Sequence, residues 1–436
     1  MRSMKLASVL ATLAVVAGAC SSAATTAPTQ APASAAAPAS AGAPASAAAP
    51  ASAAAPASAA APASAAAQAP LTGNLTLWEA YGASGNAEIT AFEKILANVE
   101  AANPGLHVTR VDIPFNNLFT KFETSAANSG VPDLYIAPND SMAKEARAGL
   151  LADLTPYLPQ LSNISQAAIQ ADTVDGKLYA IPESIKGVAL FYNTAMLPTP
   201  PVTTDDWLKD ASKLGWVYGA NGGGAYYLWG LFQSFGGTIL DPNTGKCAAT
   251  ANSGVADALA WLQKAKAAGM HMYQNDTAAA ADFVAGKIAG FIDGPWQSGN
   301  LEKALGSKLA VAPGPTGPAG AFGPLVAPDG YYINKNSANV DLAVKFAIEM
   351  DSQANEQIFA DEAGHIPAIA GVTFNNPISQ GFANAYKTGF PRPTAKQLDN
   401  YWTPFGNALA AAIDKGGSTT ALVATACQQM DKANGL

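Results

Sequence analysis

From residue 21 to residue 70 the chain is built almost only of Ala, Pro, Ser, Thr and Gln, and a proline returns every six residues, at Pro32, Pro38, Pro44, Pro50, Pro56 and Pro62. Alanine favours helix, but a proline at this spacing interrupts every second turn. No repeat unit carries an apolar face, so the tract builds neither a core nor a solenoid. It reads as a disordered, partly polyproline-like tether. Extended at ~3.1 Å per residue, it reaches on the order of 150 Å. Folding is left to residues 71–436, a length that is too great for one simple core and suits two lobes.

The residues before the tether constrain location. Arg2 and Lys5 lead an apolar run over residues 6–17, followed by Gly18, Ala19 and Cys20. A short basic start, a short apolar stretch and small residues before a cut make a secretory signal. The run falls short of the ~20 residues needed to cross a bilayer. Cys20 in this setting resembles a bacterial lipobox, although Ala17 stands where that pattern prefers Leu. The resemblance implies cleavage after residue 19, lipidation of Cys20, and a tether over residues 20–70 that holds the folded part at the extracytoplasmic face of the cell membrane.

The net charge of −8, with no basic stripe, argues against nucleic acid as a partner. No second stretch is apolar enough for a membrane span. With Cys20 assigned to lipid, Cys247 and Cys427 remain, either as a disulfide, which an exported protein favours, or as two buried thiols. His107, His271 and His365 are far apart and match no zinc spacing, so they read as solvated or satisfied histidines. No metal and no cofactor is expected.

Residues 74–78 (NLTLW) alternate as a strand, Asn86 closes a capping segment, and apolar residues at Ile89, Phe92, Ile95, Leu96 and Val99 have helical spacing. Residues 107–113 and 133–137 read as two more strands, with Leu118, Phe119 and Phe122 marking a helix between them. Strand, helix, strand, helix, strand predicts a parallel sheet with right-handed crossovers, and such sheets bind ligands beyond the carboxyl ends of their strands. Trp78, Glu79 and Tyr81 follow the first strand and Asn139 and Asp140 the third, so they are the first candidates for contact with a ligand. Further on, residues 186–193 (KGVALFYN) read as one apolar strand and residues 226–235 as an aromatic helix. Residues 282–296 read as helix end, turn, strand and a Gly-Pro turn that presents Trp296. Residues 311–323 form a Pro/Gly connector, and two helices end the chain.

In order and spacing, four stretches resemble the extracellular solute-binding proteins of ABC sugar importers, the maltose/maltodextrin-binding group in particular. They are the Leu77-Trp78 strand end, AGLLADL at 148–154, GVALFYN at 187–193 and FVAGKIAGFIDGPW at 283–296. QLDNYWTPFGNAL at 397–409 adds the group's tryptophan ahead of a terminal helix. The resemblance implies an α/β, periplasmic-binding-protein-like fold, with two α/β lobes around a hinged cleft. Lobe one is expected over residues 71–185 and 316–372, lobe two over 186–315 and 373–436.

The same resemblance implies that Tyr226, Trp229, Trp296 and Trp402 stack on sugar and that Asp140 bonds its hydroxyls. From their places in the chain, Trp78, Glu79 and Arg392 join the candidates. The family's Asp-Lys pair after the first strand appears here as Gly82-Ala83, its acidic residue in the hinge strand as Lys186, and the Arg after the Asp140 position as Ser141. The function implied is that of a lipid-anchored, monomeric subunit, not an enzyme, that delivers an oligosaccharide to an ABC permease. The alternatives are a binding protein of the same fold for a non-sugar solute, or an extracellular glycosidase. The second needs two carboxylates ~5–10 Å apart. There is no G-x-S-x-G turn, H-E-x-x-H pair or P-loop in the chain.

Overall fold

The computed structural model describes residues 69–82, 86–129, 131–219, 223–373 and 375–436. The signal, Cys20 and nearly all of the tether lie outside the described residues. Alternating apolar residues put β1 (Thr72–Glu79) in the middle of a sheet, parallel to β2 (Gly105–Asp112) and β3 (Leu134–Pro138). The helix Ala87–Ala102 joins the first two strands, and Asn86 caps it by accepting from the Ile89 N–H at 2.9 Å. It buries Ile89, Phe92, Ile95, Leu96 and Val99, the expected stripe. A small ribbon of β4 (Thr173–Val174) and β5 (Lys177–Leu178) follows, then β6 (Ala180–Lys186).

The next strands build a second sheet. They are β7 (Ala189–Asn193), β8 (Leu214–Val217), β9 (His271–Tyr273), β10 (Gly290–Asp293) and β11 (Leu309–Ala312), in the spatial order β11-β7-β10-β8-β9. The chain then returns to the first sheet as β12 (Leu325–Ile333), which runs antiparallel to both β3 and β6. Short β13 (Phe390–Pro391) pairs with the start of β12, completing the order β13-β12-β3-β1-β2.

Two α/β lobes result, each with its own core. One packs Leu77, Phe92, Ile136, Tyr331 and Phe346; the other packs Phe191, Trp207, Trp216, Phe291 and Phe405. Residues 186–193 are not one strand, as the sequence suggests. Lys186 ends β6 in the first sheet and Ala189 opens β7 in the second. Gly187 lies in the step between them. A Cβ there would meet the Tyr386 ring at 2.9 Å and the Leu325 carbonyl oxygen at 3.0 Å, so only glycine fits without displacement. Residues 313–324, the Pro/Gly-rich stretch, make a second passage between the sheets.

Among the described residues no helix is long and apolar enough to cross a membrane. Cys247 and Cys427 are disulfide-bonded with Cα atoms 5.3 Å apart, tying the turn beside Leu240 to the terminal helix Thr419–Ala433.

Candidate functional site

A cleft of about 1220 Å³ opens where the strands of both sheets end. The first lobe lines it with Tyr81 beyond β1, Phe115 and Phe119 beyond β2, and Asp140 beyond β3. The second lines it with residues beyond β8, β9 and β10. This is the position expected for a ligand at the carboxyl ends of parallel strands.

The aromatic wall comes from three elements of the second lobe. Tyr226 stands in the first turn of the helix Gly223–Ser234, Trp296 in the 3-10 turn Pro295–Gln297 that follows β10, and Trp402 at the start of the helix Trp402–Asp414. The Tyr226 and Trp296 rings lie 6.3 Å apart, tilted by 46°. Arg392 sits between the other two rings, its guanidinium carbon 5.3 Å from the Tyr226 centroid and 5.0 Å from that of Trp402. It also forms an ion pair with Asp140. Opposite, Phe115 and Phe119 meet edge to face at 5.7 Å, and Phe115 is 43% exposed although it is a large apolar side chain.

The floor is a buried charge network at the step between the sheets. Lys186 Nζ lies 2.6 Å from Glu88 and 2.7 Å from Asp329. Behind it, fully buried His365 bridges Glu88 through Nε2 at 2.8 Å and Glu183 through Nδ1 at 2.7 Å. Burial by itself would lower the imidazole, but the Glu183 and Glu88 carboxylates outweigh it and lift His365 to about 9. Burial would raise Glu88, yet Lys186 and His365 hold it at about 2. At Asp329 burial wins over Lys186, and the carboxyl is raised to about 6. At neutral pH the network therefore carries both cations and their carboxylates, and it offers paired donors and acceptors rather than a free charge.

The cleft brings together Asp140, Tyr226, Trp296, Arg392 and Trp402. Three other candidates need correction, because they do not line it. Trp78 lies on the face of β1 opposite Leu77, packed in the small core with Tyr135 and Phe122 under Lys121, whose Nζ is 4.9 Å from the ring centroid. Glu79 is fully buried, accepting from the Tyr81 N–H at 2.7 Å and paired with Arg110 of the adjacent strand. Trp229 packs edge to face on Tyr401 at 5.2 Å and near Phe390. Among the residues that sequence reasoning missed are Phe115, Lys186 as part of the floor, and a polar rim of Gln274, Asn275, Asp276, Gln297 and Asn300. The Asn-Asp pair that caps a helix directly after β9 was the available signal for the rim. Among the described residues no His, Cys, Asp and Glu group could hold a metal ion.

The bacterial extracellular solute-binding protein family matches residues 94–385. The chain belongs to that family. Its relatives include a maltodextrin-binding protein of Bacillus subtilis, 25% identical over 296 residues, 62% of this chain and 70% of the relative. A maltotriose-binding protein of Pyrococcus abyssi is 24% identical over 79% of this chain and 77% of its own. Among solved structures, the Thermus thermophilus maltotriose-binding protein with maltotriose superposes with a TM-score of 0.73 at 25% identity, covering 83% of this chain and all of the other. The GacH receptor of Streptomyces glaucescens gives a TM-score of 0.76 at 22% identity, over 83% of this chain and 98% of its own, and it shares the fold.

Proposed function

We propose that this solute-binding protein is the capture subunit of an ABC importer, that its cleft takes an oligosaccharide of the maltodextrin type, and that lipid on Cys20 holds it at the membrane near its permease. One observation carries this reading: the cleft sets aromatic side chains from both lobes and a polar rim from the second around one space of about 1220 Å³. A sugar ring has apolar C–H faces and a belt of hydroxyls, which aromatic rings and hydrogen-bonding side chains respectively satisfy. Micromolar capture needs about 8 kcal/mol. Two or three aromatic contacts at roughly 0.5–1.5 kcal/mol beyond area burial fall short, so charged hydrogen bonds of about 1.5–3 kcal/mol each must contribute.

Lys186 and Arg392 are already paired with carboxylates, which favours an uncharged ligand over a free anion. The names of the relatives point the same way. The chain acts by binding and closure rather than by catalysis, as a monomer, with lobes over residues 71–185 plus 316–372 and 186–315 plus 373–436. The test is calorimetry of the exported protein against malto-oligosaccharides, with acidic solutes and polyamines as controls. Saturable binding of the sugars is expected, and Trp296→Ala is expected to weaken it by ~1–3 kcal/mol through loss of one stacking face. Binding of a control solute alone would replace the sugar reading with the non-sugar one.

A further inference from the structure

A second, small pocket of about 20 Å³, room for about one water, adjoins the main cleft, and Asn139, Ala143, Thr394 and Asp399 help to line it. Asp140, Arg392 and Trp402 line both spaces, so these three side chains are the wall between them. The wall is firmly built. The Arg392 guanidinium is held between two rings and by Asp140, and its backbone N–H donates to the Val326 carbonyl at 3.0 Å. Two residues on, the Thr394 carbonyl accepts from Arg147 Nη2 at 2.8 Å, fixing the segment against the first lobe. The Arg392 side chain is only 7% exposed. Its Nε–H has no partner among the described residues, a donor that is costly to leave unmade.

We propose that Arg392 sets the length of oligosaccharide the cleft accepts. This rests on the oligosaccharide reading above. The guanidinium closes the cleft on the Asp140 side, so a sugar chain that reaches it extends no further. By occupying the space between Tyr226 and Trp402 it also covers ring faces on which a further unit would stack. Its charge is held by Asp140, so it selects by size rather than by attracting an anion. Removing the side chain would join the small pocket to the cleft and uncover both rings.

Calorimetry of the full chain with a malto-oligosaccharide series, from the disaccharide upward, tests this. For wild type the affinity stops rising once the chain reaches the wall. For Arg392→Ala the affinity should keep rising, by about tenfold or more, for chains longer than the wild-type limit. Arg392→Lys keeps the charge and most of the bulk, so it should keep the length limit. Trp402→Ala opens the same wall from its other face and should shift the profile as Arg392→Ala does, which keeps the test valid if Arg392→Ala is unstable. Length profiles parallel to wild type in both opening variants overturn the role assigned to Arg392 while the oligosaccharide reading stands. No binding of any member by wild type overturns the oligosaccharide reading and the length limit with it.

Discussion

His365 is a single side chain whose environment decides its charge. In sequence it has no neighbour that marks it, and it reads as a satisfied histidine. In the fold it is fully buried between Glu88 and Glu183, with Lys186 on the far side of Glu88. Its pKa rises from an ordinary 6.5 to about 9. The folded state therefore holds a proton that the unfolded chain releases, and this stabilisation is complete below about pH 6.5 and is lost as the pH rises to about 9. A shift of this size corresponds to on the order of 3 kcal/mol. Calorimetric melting of wild type should show stability falling across that window, and His365→Gln should remove most of the fall. An unchanged slope in the variant would mean that other groups titrate there. The tryptophans show the same dependence on surroundings. Trp207, Trp216 and Trp261 pack on one another at 6.2–6.4 Å, Trp78 and Trp229 fill cores, and only Trp296 and Trp402 face the cleft. Nothing local in the sequence separates the three uses.

Elements were legible where a local signal ended them. The helix Asp276–Val284, β10 and the turn that presents Trp296 follow the reading of residues 282–296, because glycines and a proline punctuate an apolar pattern. Residues 186–193 misled because β6 and β7 are both buried on nearly every residue, and an apolar run does not reveal that the chain changes sheets within it. Phe115 was missed because an aromatic one residue after Pro114 reads as the start of a helix, which it also is. The disulfide is an element-scale device, since it fastens the terminal helix to a turn 180 residues earlier, beside a 2.7 Å bond from the Cys247 N–H to Asp431. Closing a loop of that size is worth about 5 kcal/mol in the chain-entropy model. Neither cysteine lines the cleft. The double change Cys247→Ser, Cys427→Ser should therefore lower stability to urea by up to that amount and leave ligand affinity unchanged under conditions where the protein stays folded. A variant as stable as wild type would show that the bond adds nothing.

At the scale of the whole molecule, two lobes with separate cores meet at a charged floor and at narrow passages, and the lining of the cleft is divided between them. Tyr226, Trp296 and Trp402 belong to one side, Phe115, Phe119 and Asp140 to the other. A ligand shifts an open–closed balance only through the difference in its affinity for the two states. Turning a protein that is almost wholly open into one almost wholly closed requires about 5.5 kcal/mol of that difference. Contacts made to one lobe alone exist in both states and cannot supply it. Phe115 is suited to supply part of it, because it stands 43% exposed on the first lobe and faces a cleft across which Tyr226, Trp296 and Trp402 lie on the second. Phe115→Ala should fold as wild type, since the side chain is not part of a core. In small-angle scattering, saturating malto-oligosaccharide should reduce the radius of gyration of wild type and reduce that of Phe115→Ala less, while Trp296→Ala chiefly raises the concentration needed for saturation. Equal compaction of wild type and Phe115→Ala at saturation would mean that closure is driven without the first lobe's most exposed cleft aromatic, and that other contacts bridging the two lobes carry the difference between the two states.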